Sequence, residues 1–192
     1  MPNKGTLVLV VGTSSVGKTG ACRLLQRKMT DHYLLMSTDM FFQMVNPDWG
    51  GGAPTPLSRK GFRYERDGVL LRIVHGEEGF GILTGIVKAV AAMLNAGNNI
   101  LYDEMLQSPE HWSLWQPVVA AFRATVIHLH ADEKTLLARE GARGRNSDLH
   151  GLALGHLASN EIESADLRID TSNLSPEEVA DKIYNHLQES QL

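Results

Sequence analysis

The sequence predicts an α/β fold, a three-layer arrangement built on a doubly wound parallel sheet. Three observations carry that expectation. Thr6–Val11 is an unbroken apolar run of the kind that forms a strand buried on both faces, and it leads through a glycine-rich stretch into a helical pattern. Short apolar runs then alternate with stretches of helical spacing along the chain, which calls for right-handed crossovers in a parallel sheet. Finally, Ser, Thr and Asp gather where the apolar runs stop, and in open α/β sheets ligand chemistry collects outside the carboxyl ends of the strands.

Bulk properties narrow the class. The 192 residues suit one domain, 1–192, with 43% hydrophobic and 21% charged residues and no repeat at a fixed period. A net charge of -4 argues against a broad nucleic-acid surface and points to a small partner. The sequence is silent on oligomeric state and leaves an oligomer open. Cys22, the single cysteine, excludes an internal disulfide and fits a reducing compartment. No run approaches the length needed to span a bilayer, and the start lacks the apolar core of a signal peptide, so the expected location is the cytoplasm, away from membranes.

After the first strand come Gly12-Thr13-Ser14-Ser15-Val16-Gly17-Lys18-Thr19. This GxxxxGK[ST] spacing, between a strand and a helix over about 17–29, is a phosphate-binding loop. Glycines at 12 and 17 let successive amides curl into an anion nest, Lys18 reaches the β- and γ-phosphates, and the Thr19 hydroxyl ligates Mg²⁺.

The second strand, Tyr33–Ser37, delivers Thr38 and Asp39 to its end. Asp39 is a candidate general base on an acceptor hydroxyl, or a holder of a magnesium-bound water; Thr38 or Asp39 as a mere helix cap is the alternative. The texture changes from 46 to 79. Prolines and Gly50-Gly51-Gly52 predict a loop, and runs 62–66 and 69–74 around Asp67-Gly68 predict a hairpin. A segment this long between a strand and its next long helix reads as an acceptor-side cover, with a packed surface flap as the alternative.

Residues 81–96 show helical spacing, and Asn99–Tyr102 is the third strand, presenting Asp103 and Glu104 as magnesium-handling candidates. Ser108-Pro109 opens a helix, and 125–130 is the fourth strand. Its His128 and His130 share one face, a spacing that seats a metal only with a further ligand; a hydrogen-bonded pair in a sheet is the plainer expectation. A helix from about Asp132 crosses Arg139 and Arg143, four apart on one face. With Arg145 and the polar residues after it, they suggest a mobile lid over 139–150 that carries positive charge to a phosphate. Residues 150–163 are expected to be helical, 166–170 to form the fifth strand, and Ser175-Pro176 to open the last helix.

The ordered set Gly12 to Thr19, Ser37-Thr38-Asp39, Leu101-Tyr102-Asp103-Glu104, Leu137 to Arg145 and Ile169-Asp170-Thr171-Ser172 resembles the chloramphenicol phosphotransferase-like family of small P-loop kinases. The resemblance implies an ATP- and Mg²⁺-dependent kinase with five parallel strands in the order 2-3-1-4-5, phosphorylating a hydroxyl of a small molecule such as a chloramphenicol-like antibiotic or related metabolite. By the same resemblance, Asp39 is the base, Arg139 stacks over adenine, Arg143 meets the phosphates, and Thr171, Ser172 and Asn173 lie where relatives hold the base. Arg145-Asn146 departs from the family pattern, which can continue with an acid and another arginine. Two other functions fit the loop alone: a nucleotide-binding switch or degenerate module without kinase activity, and a nucleic-acid end kinase, whose basic channel the acidic net charge disfavours.

Overall fold

A computed structural model describes residues 4–50, 55–144 and 149–189. Five parallel strands form the central sheet: β1 (Thr6–Val11), β2 (Tyr33–Ser37), β5 (Asn99–Glu104), β6 (Arg123–His130) and β7 (Leu167–Asp170). Their order is β2-β5-β1-β6-β7, and a separate antiparallel pair consists of β3 (Phe62–Asp67) and β4 (Leu70–His75).

Side-chain alternation along β1 builds two cores. Val8 and Val10 pack with Leu101, Ile127 and Leu129 on one face, against α1 (Lys18–Lys28) and α9 (Pro176–Glu189). Leu7, Leu9 and Val11 face the other side with Ile100 and Tyr102, covered by α5 (Glu77–Asn95) and α6 (Pro109–Ala121). A strand buried on both faces must be apolar throughout, which is why this run has no polar alternation. Cys22 lies in the first of these cores, fully buried, and burial pushes its thiol above its ordinary range.

The cover region folds into two short helices, α3 (Pro47–Gly50) and α4 (Pro56–Lys60), followed by the hairpin. Its turn is Gly68-Val69, with Gly68 at φ +57°, and Phe62 anchors it by entering the second core. Gly51, Gly52 and Pro54 lie outside the described residues. Between β2 and the cover runs α2 (Thr38–Phe42), and after β6 comes α7 (Glu133–Ala142).

Beside shifts of one or two residues at the hairpin strands and at the start of β6, three departures from the sequence reading bear on the site. Helix α5 starts at Glu77, before the apolar period begins at Ile82, because its first turn is set by Glu77 and Glu78 at the positive end of the helix and by Gly79 packed on the Gly61 carbonyl. Asp103 and Glu104 extend β5 instead of following it; both still pair with β1. The helix expected over 150–163 is replaced by α8 (Leu152–Gly155) and a 3-10 turn at Ala158–Asn160. There short helical turns are fixed by a long-range side chain: Asn160 bonds the Leu106 N–H and the carbonyls of Leu106 and His156.

Candidate active site

The glycine-rich loop turns sharply between β1 and α1. Ser15 has φ +64° and Gly17 φ +103°, a sequence of left-handed residues that aims backbone N–H groups inward. At Gly12, a Cβ would come within 2.5 Å of the Leu129 carbonyl, so only glycine lets the loop lie against β6. The N-terminus of α1 has no side-chain cap and no acid in its first turn, whereas α2, α4, α6 and α7 are capped by Ser37, Thr55, Ser108 and Asp132. An uncapped amide cluster at the end of a helix is an anion site. Ser14, Ser15 and Lys18 are buried around it, and the Ser15 Oγ has no hydrogen-bond partner.

Lys18 donates to the Thr13 carbonyl at 3.0 Å and lies 3.8 Å from Asp103 Oδ1. Thr19 donates to Asp103 Oδ2 at 2.5 Å. This puts a hydroxyl and a carboxylate together beside the anion nest, a hard-oxygen donor set whose chemistry fits Mg²⁺. Glu104 is placed differently. It is fully buried, both oxygens lie 2.9 Å from Thr38 Oγ1, Oε1 accepts the Met105 N–H, and Oε2 accepts the Trp115 indole N–H at 3.0 Å. Burial pushes its carboxyl up to about 8 while those hydrogen bonds pull against the rise. His111, whose Nε2 lies 3.5 Å from Glu104 Oε2, is pushed down to about 4 by burial, so at neutral pH the contact is between neutral-leaning groups and is not an ion pair.

Asp39 sits exposed in the first turn of α2. Ser37, not Thr38 or Asp39, caps that helix, leaving the Asp39 carboxylate to the cleft. A cavity of about 300 Å³ brings Lys18, Thr19, Asp39, Asp103 and Arg143 together, with Gln107 on its wall. Gln107 was not anticipated; its Oε1 is buried without a partner, and nothing in its local sequence marks it.

Two further cavities adjoin this one. On one side, a space of about 350 Å³ is lined by Phe42, Val45, Pro47 and Phe62, and it shares Phe42, Tyr64 and Ile73 with the central cavity. On the other, about 300 Å³ lies between Arg139, Thr171, Leu174, Pro176 and Val179, sharing Ser15, Gly17 and Arg143. Arg139 donates to the Val16 carbonyl at 3.3 Å, to Thr171 Oγ1 at 3.0 Å and to the Thr171 carbonyl at 2.6 Å. Thr171 itself donates to the Val16 carbonyl at 2.9 Å, so the loop after β7 is tied to the phosphate loop. Ser172 is engaged with Asp170 and with the Asp132 N–H, and Asn173 is exposed and lines none of the three cavities. Arg145 and Asn146 of the expected lid lie outside the described residues.

Away from this cleft, His128 and His130 have ring centroids 5.8 Å apart, and Arg168 donates to His128 Nδ1 at 2.9 Å. Among the described residues no group of three or more His, Cys, Asp and Glu side chains is arranged to hold a metal, and no helix is long and apolar enough to cross a membrane.

Comparison with known proteins places the fold. The APS kinase of Mycobacterium tuberculosis, solved with AMPPNP and APS, superposes with a TM-score of 0.64 at 18% identity, covering 97% of this chain and 99% of its own. Shikimate kinase from Acinetobacter baumannii, solved with shikimate, gives 0.61 at 15% identity over 98% and 96%. The tunicamycin resistance protein of Deinococcus radiodurans gives 0.61 at 14% identity over 96% of each chain. No curated protein matches by sequence. Residues 5–188, nearly the whole chain, match the chloramphenicol phosphotransferase-like family, and the protein belongs to it.

Proposed function

We propose that this protein transfers the γ-phosphoryl group of ATP to a hydroxyl of a small molecule with an apolar body, a chloramphenicol-like antibiotic or a related metabolite. The observation that carries the reading is the row of three connected cavities, with the uncapped α1 terminus, Lys18, Thr19 and Asp103 in the middle and Asp39 in the same cleft. Such a row suits a base, a phosphate chain and an acceptor, in that order.

Arg139 spends in-plane N–H groups on Val16 and Thr171, which leaves the faces of its guanidinium for stacking on adenine. The loop amides and Lys18 hold the phosphates, and Arg143 adds charge where the central and base-side cavities meet. Thr19 and Asp103 are the residues that would hold Mg²⁺, whose chemistry is to neutralise charge on the β- and γ-phosphate oxygens. Glu104, occupied by Thr38, Met105 and Trp115, supports the wall behind them. Asp39 takes the proton as the acceptor oxygen forms its bond to the γ-phosphorus and the bond from that phosphorus to the β–γ bridging oxygen breaks, releasing ADP.

Phe42, Val45, Phe62 and Ile73 make the acceptor side apolar, and Gln107 offers a neutral hydrogen-bonding group beside it. An ATP-consumption screen over hydroxylated metabolites, antibiotics and nucleosides tests the reading, with Lys18→Ala as background. Turnover dependent on an added alcohol and lost in Lys18→Ala supports it; nucleotide binding with no transfer to any alcohol favours a binding module instead.

A further inference from the structure

One side chain that the mechanism does not use is built into the molecule with unusual completeness. Glu140 follows Arg139 on α7, yet it is only 2% exposed. Its Oε2 accepts the Gly151 N–H at 2.7 Å and its Oε1 accepts the Ala153 N–H at 3.0 Å. A buried carboxylate is tolerated only where hydrogen bonds answer it, and here both oxygens are answered by the backbone of one segment, 151–156.

That segment touches two other parts of the site. On one side, the Ala153 carbonyl accepts the hydroxyl of Thr13, a residue of the phosphate loop, at 2.5 Å. On the other side lies the free edge of β4. The Leu71 N–H donates to the Gly151 carbonyl at 3.1 Å, Arg72 Nε to the Gly155 carbonyl at 3.1 Å, and the Ile73 N–H to His156 Nε2 at 2.7 Å. Contact is close enough that a Cβ at Gly151 would fall 2.1 Å from the Val69 carbonyl, and one at Gly155 1.9 Å from the Leu71 carbonyl. Gly151 also has φ +100°, which a side chain would strain. Six residues thus clasp α7, the phosphate loop and the hairpin to one another. Leu152 lines the central cavity, and Ile73 lines both the central and the apolar cavity.

We propose that Glu140 is a positioning residue which, through the 151–156 clasp, couples occupation of the phosphate site to the order of the acceptor-side hairpin. The assignment of the two sides rests on the kinase reading above. Ligand on the phosphate loop fixes Thr13, Thr13 fixes the Ala153 carbonyl, Glu140 holds the same peptide segment from behind, and the segment passes the constraint to β4. Acceptor and nucleotide then favour each other's binding, because each orders a segment the other needs.

Amide hydrogen exchange of the full-length protein, with and without Mg²⁺ and AMPPNP, reads this directly. Leu71 lines none of the three cavities, so slower exchange at its amide on binding nucleotide is the decisive signal, and Ile73, which borders the central cavity, is expected to follow it in the wild type. Glu140→Gln keeps the shape but sets an NH2 group against one of the two N–H groups. It is expected to abolish that protection and to weaken AMPPNP roughly 5-fold or more. Thr13→Val cuts the other arm of the clasp and is expected to lose the same protection, which keeps the test decisive if Glu140→Gln does not fold. Bound nucleotide that leaves Leu71 and Ile73 unprotected in the wild type overturns the coupling alone, as does full protection retained in the variants. Failure of the wild type to bind AMPPNP overturns the nucleotide reading and the coupling with it.

Discussion

Replacing His156 by glutamine is expected to remove about 2 kcal/mol of acid sensitivity from folding between pH 7 and pH 5. His156 is fully buried, and its Nε2 must be unprotonated to accept the Ile73 N–H. Burial, with the Arg72 charge as the next cause, pushes its pKa down to about 4 from 6.5. Below pH 6.5 the unfolded chain binds a proton at this ring while the folded chain does not, until the pH approaches 4. Stability from this group is therefore complete above pH 6.5 and is lost as the pH falls through that window. At pH 5 the unfolded state has gained about 1.5 units of protonation advantage, or about 2 kcal/mol. His111 contributes with the same sign, and Glu104, raised to about 8, contributes with the opposite one, but both are present in the wild type and the variant and cancel in the comparison. Urea denaturation at pH 7 and pH 5 supplies the two differences. Equal pH dependence in wild type and His156→Gln would refute the reasoning, because it would mean that the ring titrates alike in both states.

Two other substitutions separate chemistry from packing. Asp39→Asn is expected to lower kcat by about 10²-fold or more while leaving AMPPNP affinity within about 2-fold, as the proposed role of proton acceptor requires; steady-state kinetics beside calorimetric binding checks both halves. Phe62→Ala removes a ring buried in the second core and packed 4.6 Å from Phe42. It is expected to cost about 3–5 kcal/mol in urea melts and to raise KM for an apolar acceptor with little change in that for ATP.

The parts of the site that sequence reasoning reached are those in which one short segment holds both the chemistry and the geometry. Gly12, Gly17, Lys18 and Thr19 do so within eight residues, and the Asp67-Gly68 pair marks the hairpin, although its turn falls one residue later, at Gly68-Val69. What escaped depends on partners far along the chain. Glu140 sits between arginines in a charged run with nothing local to mark it; its carboxylate is answered by Gly151 and Ala153, across a loop. Thr38, Glu104 and Trp115 form one hydrogen-bonded cluster only once α2, β5 and α6 are assembled. The segment 150–163 has helical composition, but close contacts at Gly151 and Gly155 with β4 override local preference.

Phosphoryl transfer is read by following the label from γ-³²P-ATP into an organic phosphate across a panel of hydroxylated metabolites, antibiotics and nucleosides. A labelled phosphate ester is expected from at least one apolar-bodied alcohol, formed by the wild type and not by Lys18→Ala. Label that stays in ATP or passes only to water with every compound, or an equal yield from Lys18→Ala, would contradict it.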